Sequence, residues 1–140
     1  MRKIAIVYWS GTGNTLAMAQ AVAAGAQEAG AEASLLSADQ FGADLVSQYD
    51  AIAFGCPAMG GEVLEESEFE PMFQACESLL KGKPIALFGS YGWGDGEWMR
   101  TWEDTCRADG AQLEYPSIIC QESPDAEAIT RCRALGAALA

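Results

Sequence analysis

Ile4-Ala5-Ile6-Val7-Tyr8, followed at once by Trp9-Ser10-Gly11-Thr12-Gly13-Asn14-Thr15, is the stretch that decides the fold. The first five residues are a continuous apolar run bounded by polar residues, the pattern of a strand buried on both faces. The next seven end that strand in hydroxyls and glycines. Ala-rich sequence then runs to about Ala29, and Gly30 is placed to stop a helix. The same alternation recurs down the chain. Further strands are predicted at 33–36, 51–55, 85–89 and 113–120, the last interrupted at Pro116, while 39–48 reads as a short helix or turn. Phe69, Met72, Phe73, Cys76, Leu79 and Leu80 fall on one helical face, closed by Lys81-Gly82-Lys83-Pro84. A third helix is predicted at 98–109, ending at Gly110. Ser123-Pro124 reads as the cap and first residue of a last helix reaching about Leu139, striped by Ile129, Cys132, Leu135 or Gly136, and Leu139. About five strand–helix alternations, with no repeat or linker, predict one α/β domain over residues 1–140. Its sheet is parallel and doubly wound, with five strands and helices on both faces.

The bulk composition agrees. A chain of 140 residues suits one domain and can bury a core without disulfides or a metal. No apolar run approaches the roughly 20 residues of a membrane span. The short run after Met1-Arg2-Lys3 leads into a turn and not into a cleavage site, so a cytoplasmic protein is expected. Cys56, Cys76, Cys106, Cys120 and Cys132 form no Cys-x-x-Cys pair and there is no His, which argues against zinc or iron–sulfur ligation and predicts no metal. Reduced thiols are expected, with Cys106 and Cys132 on helix stripes as core residues. The net charge of −12 argues against nucleic acid or an anionic membrane as partner. No Lys or Arg lies between Lys3 and Lys81, while Glu62, Glu65, Glu66, Glu68, Glu70 and Glu77 crowd the later part of that stretch. Such charge serves solubility, a docking face for basic partners, or an electrostatic influence on a ligand.

Ligands of doubly wound sheets bind beyond the carboxyl ends of the strands. In the first such loop Ser10, Thr12 and Thr15 bring hydroxyls. Gly11 and Gly13 let backbone N–H groups face outward, and a helix N-terminus follows. A polar strand-to-helix turn capped by Thr or Asn would share part of this pattern; the density of hydroxyls and glycines favours a phosphate. The loop lacks the Gly-Lys-Ser/Thr ending of a P-loop and the Gly-x-Gly-x-x-Gly of dinucleotide folds. It has no Lys or Arg, so neutral donors, each worth about 1.5–3 kcal/mol to a charged group, would hold the anion. In the loop after the fourth strand, Trp93 stands between two glycines, where core burial is not expected and stacking on a flat ligand is. Trp98 and Trp102, four apart on a helix, read as core. Met59 reads either as filler or as a ligand contact.

Taken together, Ser10-Gly-Thr-Gly-Asn-Thr15, Met59-Gly-Gly-Glu62 and Ser90-Tyr-Gly-Trp-Gly-Asp95 resemble the three FMN loops of short-chain flavodoxins of the clostridial type. The resemblance covers nearly the whole chain and is closest over 62–71 and 88–100. It implies the strand order 2-1-3-4-5 and FMN as cofactor. Ser10, Gly11, Thr12, Gly13, Asn14 and Thr15 would hold the phosphate. Met59 would pack on the inner ring face, supported by Pro57, Ala58, Gly60 and Gly61, and Trp93 on the outer face. Glu62 would accept from the ring N3–H, and Ser90, Tyr91, Gly92 and Gly94 would line the ring. The resemblance further implies a monomeric electron-transfer protein, not an enzyme, that works at low potential between semiquinone and hydroquinone. It would replace ferredoxin and dock basic-faced redox enzymes. Cys56-Pro57-Ala58 departs from members that carry a Ser there, which removes one phosphate donor. Gly61, third in a 59–62 turn, would provide the positive φ of a type II turn and favour a peptide flip on one-electron reduction. Each nearby negative charge opposes reduction by about 1.7 kcal/mol at ~10 Å and an effective dielectric of ~20. The runner-up is an FMN-dependent NAD(P)H quinone reductase, opposed by the lack of His, of spare length and of a basic group near the loops. A phospho-receiver domain would need paired acids and a Lys where Trp9-Ser10 and Gln121-Glu122 stand.

Overall fold

Strands that are apolar on both faces have to be covered twice, and the helices do so in pairs. The computed structural model describes residues 1–140. Six strands, β1 (Lys3–Tyr8), β2 (Glu32–Ser37), β3 (Ala51–Gly55), β4 (Pro84–Tyr91), β5 (Gln112–Leu113) and β6 (Ile118–Gln121), form one parallel sheet of order β2-β1-β3-β4-β5. β6 also pairs with β4, so β5 and β6 are the two halves of the predicted fifth strand, broken around Pro116. Proline has no N–H to give a ladder, which accounts for the break. Two 3-10 turns, Ala38–Gln40 and Ala43–Gln48, occupy the weakly patterned stretch.

Successive side chains on a strand point to opposite faces. Ile4, Ile6, Ala51, Ala53 and Phe88 meet α1 (Asn14–Glu28) and α4 (Ala126–Leu139). Ala5, Val7, Ile52, Phe54 and Leu87 meet α2 (Phe69–Glu77) and α3 (Glu97–Ala108). On the second face aromatic rings meet edge to face. The Phe54–Phe73 centroids are 5.1 Å apart and those of Phe69–Trp102 5.5 Å. Trp98 and Trp102 are core residues, as expected. On the first face α1 and α4 touch backbone to backbone. A Cβ on Gly25 would strike the Arg133 carbonyl, and one on Gly136 the Val22 carbonyl.

Three boundaries differ from expectation. α2 ends at Glu77, so Leu79 leaves the stripe and is half exposed while Leu80 stays buried. Ser123 does not cap α4; the helix begins at Ala126, and the Asp125 carboxylate accepts from the Ala128 N–H at 2.8 Å. β4 runs on through Ser90 and Tyr91, which pair with Cys120 and Gln121, because β6 offers them a ladder that local sequence cannot reveal. All five cysteines are free, and burial pushes the Cys106 and Cys132 thiols up to about 12, which keeps them protonated and inert.

The α1–α4 contact predicts that Gly136→Ala costs about 1–3 kcal/mol through overpacking, read as a lower denaturation midpoint at unchanged m-value. A second prediction concerns Glu77. Burial first, then a hydrogen bond with Asp109 and the charges of Asp109 and Glu70, raises its carboxyl from 4.5 to about 7. Its contribution is therefore complete below 4.5 and is lost as pH rises through 7. Glu77→Gln should flatten the decline in thermal stability across that interval; an unchanged slope would assign the decline elsewhere.

Candidate functional site

The carboxyl ends of β1, β3 and β4 open into three loops, and a cavity of about 570 Å³ lies between them, within the size range of small-molecule sites, roughly 300–1,000 Å³. The first loop is organised by Ser10. Its Oγ accepts from the N–H groups of Gly13 at 3.1 Å and Leu16 at 3.2 Å. An oxygen that accepts twice keeps its one O–H proton for an outside acceptor. Gly13 turns the chain into α1 with φ of 95°, and the first turn of that helix carries no acidic residue to occupy its N–H groups. Gly11, Thr12 and Asn14 border the cavity. This end of the cavity collects donors and no cation, an arrangement fit for an anion.

In the second loop Met59 and Val63 face each other, and the Glu62 N–H donates to the Met59 carbonyl at 2.9 Å. This closes the 59–62 turn with Gly61 in third place at φ 82°. Pro57, Ala58 and Met59 border the cavity. Glu65 anchors the loop from behind. Its carboxylate, 5% exposed, accepts from the N–H groups of Ser67 at 2.9 Å and of Glu68 and Phe69 at 2.8 Å, and from the Ser67 hydroxyl. Burial works to raise this carboxyl, but these donors outweigh it and hold it down at about 2. Glu68 accepts from the Trp9 indole N–H at 3.0 Å. Of the glutamates crowded into this acidic stretch, Glu65 and Glu68 are thus engaged within the fold; Glu65 is inside it and unavailable to a partner.

The end of β4, through Ser90 and Tyr91, borders the cavity, and so does the third loop, through Gly92. Trp93 projects from it, 62% exposed. Gly94, at φ 89°, leaves space that a Cβ would take from the Glu62 carboxylate. Arg100 clamps the loop by donating to the Asp95 carbonyl and carboxylate, each at 3.0 Å. There is therefore a cation beside this loop, contrary to the expectation of none, but Asp95 occupies it.

The candidate residues do not all converge. Ser10 and Gly13 shape the first loop from behind. Thr15 is 1% exposed and its hydroxyl bonds Ser90 Oγ at 3.0 Å. Gly60, Gly61, Glu62, Trp93 and Gly94 stand off the cavity wall. Glu62 borders instead a second groove, between α2 and α3, and its Oε1 is buried without a partner. Three wall residues escaped the sequence reading: Trp9, Glu122 and Ser123. The rule that points to the carboxyl ends of strands applies equally to β6 and would have found the last two. Glu122 is also held at φ 58°, rare for a residue other than glycine, with its N–H on the Tyr91 carbonyl at 2.7 Å.

Comparison with known proteins extends these observations. The family model described as Flavodoxin matches residues 6–136. The chain is 44% identical over 135 residues to a flavodoxin of Clostridium beijerinckii, covering 96% of this chain and 97% of that protein. It is 45% identical over 137 residues to a flavodoxin of Megasphaera elsdenii, covering 98% of each. The solution structure of the two-electron reduced Megasphaera elsdenii flavodoxin superposes with a TM-score of 0.90 over 97% of each chain. The sheet order agrees with this fold, and the quinone-reductase alternative finds no support among these relatives.

The Glu65 cap predicts an acid limb of stability. Its contribution is present above 4.5 and is lost as pH falls toward 2. Glu65→Gln removes that limb and, by stranding buried donors, costs about 1–3 kcal/mol at neutral pH. Thermal melts from pH 2 to 7 of both forms check it.

Proposed function

The chain belongs to the flavodoxin family, whose members are FMN-binding electron carriers, and from that premise we propose that it works at low potential, one electron at a time, between redox enzymes that ferredoxin would otherwise serve. It is an electron-transfer protein and not an enzyme. The observation that carries the finer reading is a donor-rich cradle without a cation in the first loop.

FMN suits these residues. Its phosphate end would take the Ser10–Thr15 loop, where Ser10, Thr12 and Asn14 offer side-chain donors and Gly11 and Gly13 offer backbone. Its flat end would lie by Met59 and Trp93, with Pro57, Ala58, Gly60, Tyr91, Gly92 and Gly94 as surroundings, and Glu62 Oε1 would accept from a ring N–H. Bound FMN supplies reversible one-electron chemistry. The chain supplies the bias. Neutral donors leave the phosphate charge uncompensated, and Glu62, Glu66 and Glu70 add to it, so an arriving electron meets a negative surrounding. A tenfold difference in binding between two redox states is about 59 mV for one electron. Gly60-Gly61 allows the turn to present its Gly60 carbonyl as an acceptor, and Trp93 shields the outer side from water. Residues 1–140 serve as one FMN domain, cytoplasmic and monomeric. Glu66 and Glu70 are the carboxylates left to meet basic-faced redox partners. No helix is long and apolar enough to cross a membrane.

Anaerobic reduction followed by visible absorption tests this. A yellow protein reduced in two separated one-electron steps is expected; a single two-electron step would overturn the carrier reading. Trp93→Ala should weaken FMN binding about two- to tenfold by loss of stacking, measured by flavin fluorescence.

A further inference from the structure

Trp93 hangs on a stretch of chain that has no main-chain support. Gly92-Trp93-Gly94-Asp95-Gly96 joins the end of β4 to the start of α3. Three of these residues are glycines, with Gly94 at φ 89° and Gly96 at φ 91°, and such a segment has little stiffness of its own. No main-chain group of residues 92–95 bonds to another main-chain group. The Trp93 side chain belongs to neither core cluster and the residue is 62% exposed, so core packing does not fix it either.

Two side chains hold this stretch, one on each side of Trp93. Gln121, the last residue of β6, donates from Nε2 to the Gly92 carbonyl at 3.3 Å. Arg100, on α3, donates from Nη1 to the Asp95 carbonyl and from Nη2 to the Asp95 carboxylate, each at 3.0 Å. Only Trp93 and Gly94 lie between the two tethered residues. Both anchors stand on regular elements, and Gln121 is itself in register with Tyr91 of β4. An ion pair as exposed as Arg100–Asp95 adds little to stability. What a guanidinium offers beyond an ammonium is orientation, because its planar fork bonds two acceptors at fixed angles. We propose that Gln121 and Arg100 are positioning residues that clamp the 92–95 segment at both ends, so that the Trp93 indole is already in place as the outer wall when the flat end of the ligand arrives.

Gly92 borders the cavity, so the indole is mounted one residue from its wall. A side chain ordered in advance need not be ordered at the expense of binding, which is how a clamp outside the site raises affinity within it. Arg100 is also surrounded by acids, Asp95, Glu97 and Glu62. A residue that only offset their charge would work equally well as lysine. The paired bonds to one residue, carbonyl and carboxylate together, point to the fork and not to the charge. The inference rests on Trp93 being the outer wall of the FMN site.

Amide relaxation NMR of the apoprotein reads the order of residues 92–95, and flavin fluorescence reads affinity. In the unsubstituted protein these amides should be rigid, with order parameters near about 0.85. Arg100→Lys keeps the charge and loses the fork; Gln121→Met keeps the length and loses the donor. Each should lower the 92–95 order parameters below about 0.6 while α3, β6 and the melting temperature stay as they were. Each should weaken FMN and riboflavin, which lacks the phosphate, to the same extent, and by no more than the about two- to tenfold loss of Trp93→Ala. In a Trp93→Ala background neither should change affinity further, because both act through Trp93. Four results overturn the proposal. Unchanged order parameters leave the clamp idle, and full affinity with Arg100→Lys assigns Arg100 to charge. Losses that add to that of Trp93→Ala, or that spare riboflavin, place the effect elsewhere in the site. A lowered melting temperature makes both residues general supports of the fold. An unsubstituted protein that binds no FMN overturns the site reading instead, and the apoprotein amides still decide the clamp.

Discussion

A parallel sheet packed on both faces has nowhere to put polar chemistry except its ends. Ile4 to Val7 and the whole of β3 are buried on both sides, so each strand delivers its polar residues only after it has run out of sheet. At the carboxyl end β1 parts from β2 toward one helix layer and β3 leads to the other, and the loops diverge and leave room between them. Everything at the site follows from that geometry. Thr12 and Asn14 of the first loop, Met59 of the second and Gly92 of the third share one cavity because the strands beneath them are neighbours.

Nearness alone does not make a site, and the loops are tied. Trp9 reaches Glu68, Thr15 reaches Ser90, and the Trp98 indole N–H donates to the Cys56 carbonyl at 3.2 Å. Each tie joins residues far apart in the chain: loop to loop for Trp9 and Glu68, helix to strand for Thr15 and Ser90, helix to loop for Trp98 and Cys56. Glu65 fastens the long second loop to the start of α2 with four hydrogen bonds. A buried carboxylate with that many donors is fully compensated, so it can sit inside without a cation. The acidic character of this region therefore has two origins: charges that hold the loop, and charges that face water.

Much of this was legible in the sequence because strong periodicity and turn chemistry are local properties. The apolar runs at 4–8 and 51–55, the hydroxyl and glycine loop at 10–15 and the helix stripes are each visible within a dozen residues. What was not legible depends on partners far along the chain. That Ser90 and Tyr91 are strand and not loop depends on β6. That Glu65 is an internal cap and not a surface charge depends on the path of 66–69 around it. That Asp125 and not Ser123 begins α4 depends on where β6 releases the chain. The wall residues Glu122 and Ser123 were missed because the strand preceding them is short and broken.

The ties between loops also set an order in time. Glu68 lies 59 residues beyond Trp9, and Ser90 lies 75 beyond Thr15. On a ribosome that adds about 5–20 residues per second, the partner of Thr15 is made about 4–15 seconds after Thr15 itself. Through that interval the first loop exists without the wall that completes it. A nascent chain thus gains its hold on a cofactor only once β4 has emerged and docked, and loading belongs to the last stage of synthesis or to the released protein.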